Sequence, residues 1–166
     1  PKFDGFRLQV HYLGSDPPGG SDPIEPTAKV KLFSRSLEDV TYMYPDIVEG
    51  VKKEVNVDEI IFEGEAIGFN PKTGEFLPFQ ETVQRKRKYD IKEKSIEVPL
   101  KLFAFELLYL NGKNFIKKPF IERRKALEQV TIKNKDISKQ IIVVDHQEEV
   151  DKEERLEEIF DQAVAK

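Results

Sequence analysis

The chain of 166 residues contains no cysteine and no tryptophan, and it has a single methionine. The absence of cysteine excludes a disulfide framework and any thiolate metal site. No apolar run approaches the roughly 20 residues that a membrane-spanning helix needs. The first residues, Pro-Lys-Phe-Asp, lack the basic and then apolar pattern of a secretion signal. These absences predict an intracellular protein with no membrane partner.

The residues that are present are typical of one folded domain. Hydrophobic residues make up 39% of the chain and charged residues 35%, which suits a globular protein rather than a disordered one. The length fits one ordinary domain with a core of its own. Pro1 opens directly into a charged motif, which indicates that the chain was cut from a longer protein.

Charge is unevenly distributed along the chain. The formal net charge of −4 does not by itself indicate a nucleic-acid-binding protein. However, residues 113–139 contain nine basic and three acidic residues, whereas residues 145–161 contain nine acidic and two basic ones. Two interpretations stay open for this pattern: two solvated surfaces of opposite sign, or a basic face that contacts DNA phosphates.

Periodicity predicts an α+β fold, with antiparallel β-sheets and packed helices. Strands are predicted at residues 6–12, 30–34, 59–69, 98–110 and 140–144. Helices are predicted from Pro45 onward and at residues 119–129 and 148–165. Loops are predicted at residues 14–27 and at residues 70–74, the latter a tight turn into a second hairpin arm at residues 75–79. Residues 84–94 are polar and basic, and their pattern favours no single structure.

Strand alternation also predicts which side chains share a face. The sets are Arg7 with Gln9 and His11, Glu63 with Glu65, and Phe105 with Phe103, Leu107 and Tyr109. Gly64 lies between the two glutamates and has no side chain, so we expect another backbone to come close there. Both histidines, His11 and His146, lack partners at a regular spacing and are interpreted as structural or surface residues.

The first residues carry the most specific pattern. Lys2, Asp4, Gly5 and Arg7 place an amine, a carboxylate and a guanidinium at the mouth of the first strand. Taken alone, Lys-x-Asp-Gly is short and is also compatible with a β-turn beside exposed basic residues. A free lysine has a pKa near ~10.4, so an amine that acts as a nucleophile needs nearby cations or desolvation.

Further motifs follow in order along the chain. They are FSRSLEDVT at residues 33–41, FEGEA at 62–66, PFQ at 78–80, RKRK at 85–88 and LFAFELLYLNG at 102–112. This ordered series resembles the adenylation domain of ATP-dependent DNA ligases, from residue 2 to about residue 127. The resemblance implies a nucleotidyltransferase, or ATP-grasp-like, ligase adenylation fold, here incomplete.

The resemblance also implies roles for individual residues. Lys2 matches the nucleophile that takes AMP from ATP, and Asp4 supports it. Arg7 and Arg35 match arginines near the sugar and phosphate, Glu65 matches the carboxylate that holds the ribose hydroxyls, and Phe105 matches the aromatic residue that stacks on adenine. Glu63 is a candidate supporting carboxylate or metal ligand. The candidate DNA contacts are Arg85, Lys86, Arg87 and Lys88.

The implied function is that of a DNA ligase used in repair, replication or recombination. AMP on Lys2 passes to the 5′-phosphate of nicked double-stranded DNA, and the nick is then sealed, with Mg²⁺ as cofactor and a sliding clamp as a candidate partner. The implied location is the cytoplasm and nucleoid, or the nucleus of a eukaryote. Two alternatives stay open: a non-catalytic DNA-clamp module that uses the basic surface, and an RNA ligase or capping-type nucleotidyltransferase.

The resemblance is partial. A further Glu-Gly strand after the matched motifs, a Lys-x-Lys strand, an OB-fold domain and an N-terminal DNA-binding domain belong to the family pattern and do not occur within residues 1–166. We therefore interpret the chain as a partial adenylation domain. Alone, it is expected to bind ATP weakly and to self-adenylate poorly.

Overall fold

A computed structural model describes residues 4–14, 29–131, 140–144, 150 and 152–164. The strands within these residues are β1 Phe6–Leu13, β2 Lys29–Ser34, β3 Glu59–Gly68, β4 Leu100–Leu110, β5 Lys113–Asn114 and β6 Ile142–Val143. In this described part of the chain they form one sheet, in the order β2-β1-β3-β4-β5, with β6 beside β4. All the pairings are antiparallel except that of β6 with β4, which is parallel.

Helices connect and cover the strands. They are α1 Pro45–Glu54, α2 Phe79–Thr82, α3 Ile91–Glu97, α4 Phe120–Val130 and α5 Glu153–Val164, with short 3-10 turns at Thr41–Met43 and Val83–Arg85. Pro45 occupies the first turn of α1, as predicted, because proline lacks the N–H that a helix start leaves unpaired. No helix among the described residues is both long and apolar enough to span a membrane.

The hydrophobic core lies against one face of the sheet. Its fully buried members include Leu8 and Val10 of β1, Phe62 of β3, Leu102 of β4, Ile47 and Val51 of α1, and Leu127 of α4. Burying each such aliphatic or aromatic side chain contributes about 1.5–3 kcal/mol. Because side chains alternate along a strand, the opposite face carries Arg7, Gln9 and His11 on β1. On β3 it carries Glu63 and Glu65 together with isoleucines at 61 and 67.

The strand β4 departs from simple alternation. Glu63 pairs with Glu106 and Gly64 pairs with Ala104, so Phe105 is an extra residue in a β-bulge. A second shift occurs between Ile61 and Phe62. The bulge turns Ala104 and Leu107 toward the same core, so the prediction that Phe105 and Leu107 share a face is wrong.

The predicted α+β class and the main strands and helices are confirmed. The predicted hairpin arm at residues 75–79 is reduced to a short antiparallel contact. A bridge joins Phe69 and Phe76, with hydrogen bonds from Asn70 N–H to Glu75 O and from Leu77 N–H to Gly68 O, both at 2.8 Å. The contact ends before α2 at Pro78, which has no N–H to donate to a ladder. Residues 84–94 contain the end of a 3-10 turn and the start of α3. The predicted loop at 14–27 and His146 lie almost entirely outside the described residues.

Candidate nucleotide site

A cleft of about 410 Å³ opens where β1 begins. Its lining includes Arg7 of β1, Arg35 from the loop after β2, Glu65 of β3 and Phe105 of β4. Its volume lies within the range of pockets that hold small molecules, roughly 300–1,000 Å³. The sheet therefore brings together four residues that the sequence predicted for one ligand, although they are far apart in the chain.

Gly5 lies directly against β3. A Cβ atom at this position would clash with the backbone oxygen of Ala66, so the close approach requires glycine. The Gly5 N–H donates a hydrogen bond to the Glu65 carboxylate. Lys2, the predicted nucleophile, lies three residues before this contact and outside the described residues.

Glu65 is a half-buried carboxylate beside the start of β1. Burial raises its pKa by disfavouring the charged form, and the negative charge of Asp4 adds to the rise. The Gly5 N–H and the positive charge of Arg7 oppose it. Glu65 is directly opposite Arg7 across the two strands, so the cleft presents an acceptor and a cation side by side.

Gly64 allows β3 and β4 to come close beside that carboxylate. A Cβ atom on Gly64 would lie 2.8 Å from the backbone oxygen of Phe103, a separation that real Cβ contacts essentially never reach. The predicted close approach of another backbone is therefore confirmed. It keeps β4, and with it the bulged Phe105, at a fixed distance from Glu65.

Arg7 lies over the ring of Phe105. Its guanidinium carbon is 5.6 Å from the ring centroid, which is cation–π distance. The same guanidinium forms an ion pair with Glu63. Arg7 therefore links a buried carboxylate to the aromatic ring that the bulge turns into the cleft.

Glu63 belongs to a hydrogen-bond network that the sequence interpretation missed. Its side chain is only 11% exposed; Oε2 pairs with Arg7 and Oε1 accepts from Nε2 of Gln9 at 3.2 Å. The Oε1 atom of Gln9 lies 2.8 Å from Nε2 of His11, whose pKa is lowered by burial. Alternation had placed Arg7, Gln9 and His11 on one face, and that signal was sufficient to suggest the network.

Glu63 was also predicted as a candidate metal ligand. The described residues contain no group of three or more histidine, cysteine, aspartate or glutamate side chains that could hold a metal ion. Both oxygens of Glu63 are engaged by Arg7 and Gln9. The part of Glu63 as a supporting carboxylate or metal ligand stays a prediction.

A tight loop presents Arg35 to the cleft. Ser34 is hydrogen-bonded through both of its backbone polar groups: its N–H donates to Glu38 O at 3.0 Å, and its carbonyl accepts from Leu37 N–H at 2.9 Å. Asp39 closes the loop by accepting from Lys31 Nζ at 2.7 Å and from the Thr41 hydroxyl at 2.6 Å. The hydrogen bond from Lys31 is the main reason why the pKa of Asp39 falls to about 2.

The four basic residues at 85–88 divide into different environments. The Arg85 side chain is 1% exposed and donates from Nη2 to Oδ1 of Asp46 at 2.6 Å. The prediction that Arg85 contacts DNA is therefore wrong, because its guanidinium is buried inside the protein. Lys86 lines the cleft together with Arg7 and Arg35. Arg87 and Lys88 are exposed and keep the predicted DNA role as a hypothesis.

The basic segment after β5 is partly used within the protein. Arg123 makes a bidentate ion pair with Glu106, at 2.6 Å from Nε and 2.8 Å from Nη2. Arg124 donates to Glu128 at 3.1 Å. These two guanidinium groups are engaged by carboxylates, so a DNA-contacting face in this segment would depend on its exposed lysines.

Comparison with known proteins identifies the family of this chain. A family model described as the ATP dependent DNA ligase domain matches residues 1–166. A "Probable DNA ligase" of Dictyoglomus thermophilum is 49% identical over 150 residues, which cover 89% of this chain and 24% of that protein. The DNA ligase of Sulfolobus acidocaldarius is 40% identical over 164 residues, which cover 99% of this chain and 24% of that protein.

Two solved ligase structures are similar to this chain. A mycobacterial DNA ligase D complexed with ATP and MES has a TM-score of 0.51 and 27% identity, over 78% of this chain and 36% of that chain. The ligase domain of LigD from M. tuberculosis has a TM-score of 0.54 at 24% identity, over 86% of this chain and 38% of that chain, and supports the fold alone.

The chain belongs to the family of ATP-dependent DNA ligase domains. It spans about a quarter of the length of the curated relatives that it matches.

Proposed function

We propose that this chain carries the nucleotide-binding and nucleophilic part of an ATP-dependent DNA ligase. The amine of Lys2 attacks the α-phosphorus of ATP; a nitrogen–phosphorus bond forms, the bond to the β-phosphate oxygen breaks, pyrophosphate leaves, and the amine loses a proton. AMP then passes to the 5′-phosphate of a DNA nick. The 3′-hydroxyl attacks that phosphate, AMP leaves, and the nick is sealed.

One observation carries this proposal. Arg7, Arg35, Glu65 and Phe105 line a single cleft, and Gly5, three residues after Lys2, is hydrogen-bonded to Glu65 within it. A cleft with two guanidinium groups, one carboxylate and one half-buried aromatic ring has a partner for each part of a nucleotide. The family match supports ATP as that nucleotide.

Each side chain has a distinct task in the proposal. Phe105 stacks on adenine, an interaction worth about 1–3 kcal/mol for a base on an aromatic ring. Glu65 accepts hydrogen bonds from the ribose hydroxyls. Arg7 and Arg35 stabilise the negative charge that builds on the α-phosphate, and their positive field favours the neutral amine of Lys2. Asp4 supports the motif from the start of β1.

Lys86 joins the phosphate-binding side of the proposed site. It lines the same cleft, and it directly follows Arg85, whose burial against Asp46 fixes the local backbone. An ammonium group there adds to the positive charge that faces the triphosphate. In the proposal, Mg²⁺ accompanies the phosphates of ATP, and Glu63 stays a candidate ligand for it. No step is assigned to it.

Transfer of a radioactive label tests the reaction. The experiment uses the longest natural polypeptide that contains this sequence, which is called the natural polypeptide below. It is incubated with Mg²⁺ and with ATP labelled at either the α- or the γ-phosphate. We expect label from the α-position alone, and none with Lys2→Ala. Nicked DNA that carries a 5′-phosphate should remove the label, whereas a nick with a 5′-hydroxyl should not. Labelling from the γ-position, or labelling that survives Lys2→Ala, would refute the proposal.

The DNA partner rests on Arg87 and Lys88. Both are exposed. Log affinity for DNA falls as log salt concentration rises, and each phosphate contact makes this slope steeper by about 0.9. We expect the double variant Arg87→Ala/Lys88→Ala to reduce that slope by about 2 for nicked DNA. Binding of ATP should stay unchanged. A slope equal to that of the wild type would remove these two residues from the DNA interface.

A further inference from the structure

The polar face of β1 carries more than the arginine that reaches the cleft. His11 Nε2 lies 2.8 Å from Gln9 Oε1, and Gln9 Nε2 lies 3.2 Å from Glu63 Oε1. The other oxygen of Glu63 pairs with Arg7. Four side chains thus form one continuous chain of contacts, and only Arg7 among them lines the cleft.

The donor and acceptor properties of these side chains determine the direction of each hydrogen bond in the series. An ionised carboxylate can only accept hydrogen bonds, so Gln9 must turn its amide nitrogen toward Glu63. The amide oxygen of Gln9 then faces His11, which must donate from Nε2. Burial lowers the pKa of His11 and so favours the neutral ring, in which this requirement selects the Nε2–H tautomer.

The far end of the chain is held by rigid strands. The His11 ring packs edge-on against Phe33 of β2, with ring centroids 4.9 Å apart. Gln9 is directly opposite Phe33 on one side and Glu63 on the other in the strand registers. The network therefore crosses three neighbouring strands, which locate its groups more tightly than a loop would.

We propose that Gln9 and His11 are positioning residues that hold Glu63, and through it the guanidinium of Arg7, over Phe105 at the edge of the cleft. This inference rests on the proposed function, since the position of Arg7 matters for catalysis only if the cleft takes a nucleotide. In this proposal, neither Gln9 nor His11 contacts the substrate.

The physical reason is preorganisation. A glutamate with one free oxygen can turn about its terminal bond, whereas one with both oxygens held presents a fixed acceptor to the guanidinium. Arg7 has an exposed fraction of 44%, so this pairing is its main constraint. A cation fixed before the reaction stabilises developing phosphate charge without paying for reorganisation during it.

Side-chain exchanges that remove the hydrogen bonds test the proposal. The variants are Gln9→Leu and His11→Leu, with His11→Gln as the conservative change that keeps a donor. Gln129→Leu, an exposed position in α4, is the chemically matched control. Each is made in the natural polypeptide with Arg7 present and with Arg7→Ala, and the rate of AMP transfer from α-labelled ATP is measured.

We expect Gln9→Leu to lower kcat/KM for AMP transfer about tenfold, the effect of losing one hydrogen bond to a charged group. His11→Leu should lower it several-fold, while His11→Gln and Gln129→Leu should retain the wild-type rate. In the Arg7→Ala background, Gln9→Leu and His11→Leu should have no further effect. Equal losses in both backgrounds would overturn the proposal, because the two residues would then act without Arg7.

A second measurement does not depend on turnover. The exchange of the Arg7 guanidinium protons with water, followed by NMR, should be faster in Gln9→Leu and in His11→Leu than in the wild type or in Gln129→Leu. Unchanged exchange would also overturn the proposal. A failure of the proposed function itself would give a different result. The wild-type polypeptide would then not take label from ATP, but the difference in proton exchange between the wild type and the two leucine variants would persist.

Discussion

Arg85 donates from Nη2 to Oδ1 of Asp46 at 2.6 Å, and the two side chains are 1% and 16% exposed. The second carboxylate oxygen of Asp46 accepts the N–H of Leu100 at 3.1 Å. One carboxylate therefore joins the start of α1, the first residue of β4 and the 3-10 turn that precedes Lys86. Burial raises the pKa of Asp46 and lowers that of Arg85, and each is opposed by the charge of the other.

Removing Arg85 should strongly destabilise the fold. Breaking a buried ion pair from one side costs about 3–5 kcal/mol, because it leaves the partner charge buried and unpaired. We expect Arg85→Ala to lower the free energy of unfolding of this chain by about 3 kcal/mol in urea titrations. Arg87→Ala, two residues away and exposed, is the control and should change it by less than about 0.5 kcal/mol. Equal stability of the two variants would contradict the buried pair.

Nucleoside binding should depend on pH through Glu65. Its pKa is raised chiefly by burial, so the carboxylate takes up a proton at a higher pH than an exposed glutamate does. The ionised form accepts hydrogen bonds from ribose hydroxyls, so affinity should fall as the pH drops through this raised pKa. Adenosine is the suitable ligand, since it has no phosphate to titrate.

Titration of adenosine into the natural polypeptide between neutral and mildly acidic pH measures this dependence. In Glu65→Gln the affinity should be lower and should no longer vary with pH over the same interval. A variant that keeps the wild-type pH dependence would assign the titration to another group.

Phe105 should contribute to affinity through its ring alone. Loss of a base–aromatic stack costs about 1–3 kcal/mol, so Phe105→Ala should weaken ATP binding by about 5- to 150-fold. Phe105→Tyr keeps the ring and should bind as the wild type does. Phe76→Ala removes an exposed ring outside the cleft and should leave the Kd for ATP unchanged in calorimetry. A comparable loss in both alanine variants would indicate a general loss of structure.

The loop that presents Arg35 should loosen in acid. The pKa of Asp39 is about 2 in the folded chain against an ordinary value of 3.8, mainly because Lys31 hydrogen-bonds to it. The unfolded state therefore binds more protons between these values, so the stabilising effect is complete above about pH 4 and is lost as the pH falls toward 2. The carboxyl carbon resonance of Asp39 should titrate at the low value, and in Lys31→Met it should titrate at a higher pH.

Much of the fold could be predicted because its signals are local. Strict alternation in residues 6–12 located β1, and it correctly separated Leu8 and Val10, which lie in the core, from the polar face that holds Arg7. The proline at the start of α1 was equally informative. The cleft residues Arg35, Glu65 and Phe105 came instead from the resemblance to a family, since no local rule connects them.

What could not be predicted depends on long-range contacts. Arg85 lies in a run of four basic residues and looks solvent-exposed by sequence, but its partner Asp46 is 39 positions away. A strand was predicted around β6, but its partner was not. Ile142 of β6 and the preceding Ile141 donate their N–H groups to the Glu54 carboxylate at 2.7–3.0 Å. Local periodicity carries no information about such partners.

The bulge at Phe105 makes the contact with the ligand independent of the packing of the core, whereas in a regular strand the two would depend on each other. In an unbroken ladder, every change in length or register would move the ligand-facing ring and the core-facing side chains as one unit. Here a single surplus residue carries the ring, while Ala104 and Leu107 on either side keep the interior packed. Evolution could thus alter the side chain that meets the base and leave the folding of β4 intact. This position is therefore a natural starting point for redesigning base preference.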